Sequence, residues 1–321
     1  MEKVLTLGKS IITGRLHNAY ISSIMLNNPN SLDWIFSHHI QLYCHLSDTN
    51  DIDLNFFSGD FFYGWIYNPF VDVNIIKLKY ITRYNLKDFI TNSINDNRYI
   101  LLQNNEYFTD KIKIANVSPY YYIHGYDSND KYYNYGMKGS AAIESNGILE
   151  NIMHWSDEAD IITFKLKPNV KSEINIDYIC ECIIEYLLSY NSHKHTQIYN
   201  DHCSDITFGI DIYDTLLTYI NNIITNRVDI DIRPFFTLSE HKNMMIRRLT
   251  YIDKDFSLSI LEKLNEIYTC CKIIVNMVLK YTKTNNINIL LNICKRLNKI
   301  SAEEKKVYRD ILEILLKYKE V

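Results

Sequence analysis

The chain has 321 residues, a mass of 38.0 kDa and a formal net charge of −4. That length predicts two domains, or one domain with a large extension, and 47% apolar residues supply a sizeable core. The mild negative charge, with no long basic run, argues against non-specific nucleic-acid binding, and no stretch of about 18 uncharged apolar residues offers a membrane span. The opening MEKVLTLGKSIITGR lacks the apolar core and small-residue cleavage site of a secretory signal. The seven cysteines, at 44, 180, 182, 203, 270, 271 and 294, are odd in number and several fall in helical patterns. Reduced thiols in a cytoplasmic protein fit this better than a disulfide framework. No cofactor is expected.

Residues 4–12 form a short apolar segment. Leu16, Tyr20, Ser23 and Ile24 then share one face at helical spacing, which predicts a buried helix. Residues 31–45, with Trp34, Ile35, Phe36, Ile40, Leu42 and Tyr43, read as a second buried element. Residues 54–70 are strongly aromatic (Phe56, Phe57, Phe61, Phe62, Tyr63, Trp65, Tyr67, Phe70) and serve as core or as the lining of a cleft. Strands are expected over 73–81, 99–103 and 111–114, with a short helix over 86–94. Residues 117–136, VSPYYYIHGYDSNDKYYNYG, read as two strands joined by a turn, because aromatic runs flank a cluster of turn formers. Residues 161–166 add a further strand. The first part is therefore α+β, with a mainly antiparallel sheet.

The second half changes character. Helical spacing runs through 177–188 and, after a polar stretch over 191–205, through 206–224. Arg233-Pro234 marks a helix start, since proline is tolerated in the first turn; this helix runs to about residue 252. Asp255 is read as the cap of a long helix to about residue 281. A shorter one covers 286–300, and Ser301-Ala302-Glu303-Glu304 has the pattern of a capping box opening a last helix. With a boundary near 168–176, the domains are expected at 1–170 and at 171–321, the latter all-α.

Three segments then carry a resemblance. They are residues 99–102 through Tyr120-Tyr121-Tyr122-Ile123-His124-Gly125-Tyr126-Asp127; Phe208-Gly209-Ile210-Asp211-Ile212-Tyr213-Asp214; and Asp231-Ile232-Arg233-Pro234-Phe235 with Glu240-His241-Lys242, Met245 and Arg248. In their order and spacing they resemble the butirosin biosynthesis protein H family. The N-terminal half of that family is similar to bacteriocin-leader cysteine peptidases, of papain-like fold. The resemblance implies members found in nonribosomal-peptide and other specialised-metabolite gene clusters, where active ones move an acyl group from a carrier-protein thioester onto an amine.

Active papain-like relatives need a Cys at the start of the first buried helix, a His beginning a central strand and an Asn or Asp on the next strand, because a thiol is mostly protonated near neutrality unless an imidazole activates it. Here the first position falls at residues 15–18, which hold no Cys, and the second at Pro119, beside Ser118; Asn134 fills the third. The resemblance thus implies a non-catalytic or atypical member that binds a carrier-linked or peptide intermediate, or a partner enzyme. The alternative is an acyltransferase whose groups come from elsewhere. For that alternative Cys44, with His38, His39 and His45 near in sequence, could pair with His124; His17, beside the vacant nucleophile position, is a second candidate base. The structural alternatives are a buried thiol, a turn histidine and a hydrogen-bonded cleft histidine. His193, His195, His202 and Cys203 are residue types that suit zinc, but their spacing matches no compact zinc motif, so no metal is expected. Leu238, His241, Met245, Leu249 and Ile252 share a helical face. His241 therefore points inward, where Arg233, Glu240 and Arg248 would make either a structural network or a ligand site. Lys242, Arg247 and Arg248 would form a solvated face, or attract an anionic phosphopantetheine arm.

Overall fold

The computed structural model describes residues 2–57, 68–81, 85–103, 120–136, 139–152, 159–192 and 206–318. The protein is mixed α and β, with antiparallel sheets and a helical C-terminal region. It separates into two compact units, Met1–Ser31 with Trp65–Lys171 and Leu32–Gly64 with Ser172–Val321. Residues 32–64, placed by sequence in the first domain, are thus grouped with the C-terminal helices.

In the first unit, β4 (Val71–Lys77), β9 (Asp160–Leu166), β5 (Arg98–Gln103), β6 (Tyr120–Tyr126), β7 (Lys131–Gly136) and β8 (Gly139–Glu144) follow one another across a sheet, and β1 (Lys3–Val4) also pairs with β6. Every pairing is antiparallel. Helix α1 (Leu16–Met25) is pinned to this sheet by Tyr20, which is fully buried. Its ring meets Tyr122 at 5.0 Å, Tyr135 at 5.9 Å, and Tyr99 and Phe164 at 6.3 Å, one aromatic from each of four adjacent strands. Its hydroxyl donates to the Ile123 carbonyl at 2.8 Å, which satisfies the polar tip of an otherwise apolar anchor. Burial raises the Tyr20 phenol well above its ordinary range, so it remains a donor.

The hairpin carries a bulge between Ile123 and Gly125, with His124 as the extra residue. Side chains four apart on a regular strand share a face. Here Tyr122 meets Tyr20 of α1, whereas the Tyr126 hydroxyl donates to Asn95 at the end of α3 (Leu86–Asn95). The bulge changes the parity of β6, so one strand anchors both helices. Gly125 is required beside it, because a Cβ there would lie 2.8 Å from the Lys3 carbonyl oxygen and 2.9 Å from Val4 Cα. Asp127 shapes the turn, its carboxylate accepting from the amides of Asn129 (2.8 Å) and Lys131 (3.0 Å). Helix α4 (Ser145–Ile152) follows β8 directly.

The second unit is not all-α. It joins α2 (Ser31–Ser37), α5 (Ile176–Leu187), α6 (Ile212–Asn226), α7 (Arg233–Ile252), α8 (Leu258–Thr284) and α9 (Ile287–Lys317) to a three-stranded antiparallel sheet. Its strand order is β10 (Ile206–Phe208), β2 (Leu42–Leu46), β3 (Ile52–Phe56). The expected helix over 206–224 begins as β10 and turns at Gly209, whose φ is +58°; a Cβ there would fall 2.2 Å from the Tyr186 carbonyl oxygen. Helix α8 starts at Leu258 with Ser257, not Asp255, as its N-cap, after a turn in which Asp253 accepts from the Asp255 amide at 2.9 Å. The capping box at 301–304 is also corrected: α9 runs unbroken through it for 31 residues, because Glu304 turns into the core instead of back to the backbone. The strand expected over 111–114, the start of the hairpin at 117–119 and most of the aromatic run, residues 58–67, lie outside the described residues.

Candidate functional site

The position at which the resemblance implies a nucleophile, residues 15–18, falls at the start of α1. Arg15 is its N-cap residue, with extended backbone and no side-chain cap bond, and Leu16, His17 and Asn18 follow, all half-buried. Pro119 and Ser118, at the position of the base, lie outside the described residues. Asn134 sits on β7 opposite Ile123, and its side-chain Oδ1 accepts from the Tyr122 amide at 2.6 Å. That bond stitches the hairpin across the bulge. Of the positions that the resemblance implies, residues 15–18 hold no thiol, and the side-chain amide oxygen of Asn134 is engaged by backbone.

Cys44 and His124 fall in different units. Cys44 is completely buried in the middle of β2, between Thr207 of β10 and Leu54 of β3. His124 is 4% exposed, and both its ring nitrogens are engaged. Nδ1 lies 3.0 Å from the Leu5 carbonyl oxygen, which only accepts, so Nδ1 carries the proton. Nε2 therefore accepts from the Ser140 hydroxyl at 2.6 Å. Burial, partly offset by the Leu5 carbonyl, lowers the imidazole's basicity and keeps it neutral near pH 7. Ser140 was missed in the sequence; it sits in GSAAIE, a run with no distinguishing signal.

The residues chosen as ligand-binding divide between two environments. Arg233 is exposed and paired with Asp231 at 2.7 Å; Asp231 also accepts from the Arg233 amide at 2.8 Å, fixing the start of α7. Glu240 is half-buried. His241 and Arg248, by contrast, are completely buried, and so is Lys242. The sequence reading of Lys242 and Arg248 as a solvated or anion-attracting face is therefore corrected; of that trio only Arg247 is exposed.

The buried groups form one network. Lys242 pairs with Glu304 of α9, and neither side chain is exposed. Its ammonium also reaches Nδ1 of His241 (2.9 Å) and the Tyr186 hydroxyl (3.3 Å), so three protons meet three acceptors. Glu304 accepts a second bond from Tyr213 at 2.5 Å. The rings of Tyr186, Tyr213 and Tyr308 stand 5.4–5.8 Å from the ammonium. Since His241 accepts from Lys242 on Nδ1, its Nε2 carries the proton and donates to the Ile40 carbonyl at 2.7 Å. Arg248 donates to the carbonyls of Phe36 (2.6 Å), His38 (2.6 Å) and His39 (3.1 Å), and so caps the C-terminal end of α2, where a cation complements the helix dipole. This arrangement binds protein to protein.

Among the described residues no group of three or more His, Cys, Asp or Glu could hold a metal ion; His193, His195, His202 and Cys203 lie outside them. No disulfide joins two of the described cysteines. No helix among the described residues is long and apolar enough to cross a membrane.

Two outcomes follow from the network. Lys242→Met strands the Glu304 carboxylate and is expected to destabilise the second unit by about 3–5 kcal/mol. Adding Glu304→Leu is expected to recover much of that loss in urea unfolding; strictly additive losses would contradict the pairing. The second outcome concerns pH. Burial pushes His38 down to about 4 and His39 to about 3, with Arg248 opposing protonation of both. Burial and then Lys242 hold His241 well below its ordinary value. The unfolded chain takes up these protons near pH 6.5 and the folded chain does not, so stability present above that pH is lost as pH falls towards 4. Unfolding at pH 5 is expected to take up roughly three extra protons from these residues, measured from the pH dependence of the unfolding free energy.

Against known proteins, no family model matches the chain and no curated protein matches it.

Proposed function

We propose that the first unit is a papain-like domain of the butirosin biosynthesis protein H kind, and that the chain is a member without the family's thiol chemistry. It acts in nonribosomal-peptide or other specialised-metabolite assembly, binding a carrier-linked or peptide intermediate. What supports the fold assignment is a helix laid across the central strands of an antiparallel sheet by Tyr20, with Asn134 on the strand after β6. The observation that carries the loss of chemistry is Arg15 at the N-cap of α1, where relatives place the thiolate. A helix N-terminus stabilises a thiolate by its dipole; a guanidinium supplies no nucleophile. Cys44, sealed within β2, does not replace it.

The test is to present the purified chain with a carrier protein bearing an acylated phosphopantetheine arm, together with an amine acceptor. The expected result is saturable binding of the acyl carrier protein, weaker for the carrier without its arm, and no acyl-cysteine by intact mass. Amide formation that disappears in Cys44→Ala would overturn the loss of thiol chemistry. Absence of binding would overturn the carrier partner.

A further inference from the structure

The pairing of Ser140 with His124 is used by nothing above, and it has the form that an activated hydroxyl requires. Ser140 is exposed, its hydroxyl donates to Nε2 of His124, and the ring is fixed from behind by Nδ1–H on the Leu5 carbonyl. Nucleophile, base and orienting group are in sequence, with the orienting role taken by a backbone carbonyl rather than a carboxylate.

The sheet supplies a second feature. Strand β8 ends the strand order, and no described strand lies beyond it. The Ser145 amide donates to the Asp130 carbonyl at 3.0 Å, which makes Lys131 and Glu144 a non-hydrogen-bonded pair. Counting along the ladder, Tyr133 with Ala142 and Tyr135 with Ser140 fall in the same class. The N–H and C=O of Ser140 therefore point off the edge of the sheet, away from β7. Among the described residues no partner takes this donor, which sits beside the hydroxyl where charge on an attacked carbonyl oxygen would develop. Gly139, Ala141 and Ala142 around it are small and exposed.

We propose that Ser140 is a nucleophile and His124 its general base, and that the pair takes acyl groups from small activated esters or thioesters. Ser140 Oγ bonds to the acyl carbon as its proton passes to His124 Nε2. The bond to the leaving alcohol or thiol then breaks, and that group leaves with the same proton, giving an acyl-serine. Water attacks the ester, its proton goes to Nε2 and returns to Oγ as the acyl–Oγ bond breaks, and the carboxylic acid departs. With a carbonyl instead of a carboxylate behind the ring, the imidazolium is poorly stabilised and turnover is slow, so the serine adduct is the better readout. This proposal uses neither residues 15–18 nor Cys44 and does not rest on the function proposed above.

A fluorophosphonate probe tests it, since Oγ–P forms as P–F breaks and the proton leaves with fluoride. The full chain is expected to gain one phosphonyl group, mapped to Ser140 in the digested protein. Ser140→Ala is expected to stay folded, with at most a modest loss of stability from the unpaired Nε2 of His124, and to lose the adduct. His124→Gln is expected to slow labelling by on the order of 10²-fold or more. Because His124 is nearly buried, its variant is compared only after its circular dichroism matches the parent. No adduct on the native protein, an adduct that survives in Ser140→Ala, or equal rates in a folded His124→Gln would each overturn the proposal.

Discussion

An ammonium group that commits all three of its protons inside the helical unit dictates how that unit is assembled. Removing a lysine and a glutamate from water costs several kcal/mol per ion, and their attraction offsets this only when the geometry is tight and the remaining protons and lone pairs are occupied. Lys242 and Glu304 meet those conditions through His241, Tyr186 and Tyr213. The partners come from α5, α6, α7 and α9, and His241 extends the chain to Ile40. Misplacing any one of these elements strands a buried charge. A hydrophobic core of equal volume would stabilise the unit without specifying its arrangement; this network specifies it.

The same physical accounting covers the segments that carry the family resemblance. Gly125 admits the β1 backbone, and Asp127 holds the turn after it. Gly209 lets the chain pass against the end of α5. Asp231 and Arg233 start α7, and Arg248 closes α2. These residues encode backbone approach, turns, caps and a buried ion pair. They preserve a scaffold whether or not a catalytic thiol is present.

Much of the local structure was legible because periodicity reports burial directly. The helical face from Leu16 to Ile24, the aromatic hairpin and the helix opening at Arg233-Pro234 all follow from spacing and turn chemistry. The inward direction of His241 was legible for the same reason, but its partners were not, since Glu304 lies 62 residues from Lys242. Strands β2, β3 and β10 are short and depend on one another for pairing, so residues 32–64 gave no sign of belonging with the C-terminal helices. The false capping box shows the converse error: a correct local pattern at Ser301–Glu304 was overridden by a tertiary demand on the glutamate. Ser140 was illegible because its meaning lies in a bulge on another strand, where His124 leans across to meet it.

The most direct measurement is an NMR spectrum of the full chain with ¹⁵N in lysine side chains and histidine rings. A slowly exchanging ammonium at Lys242, correlated with the Glu304 carboxylate, is expected, with a neutral His241 protonated on Nε2 and accepting on Nδ1. Rapid exchange of the Lys242 protons with water, or a His241 ring carrying its proton on Nδ1, would contradict the network.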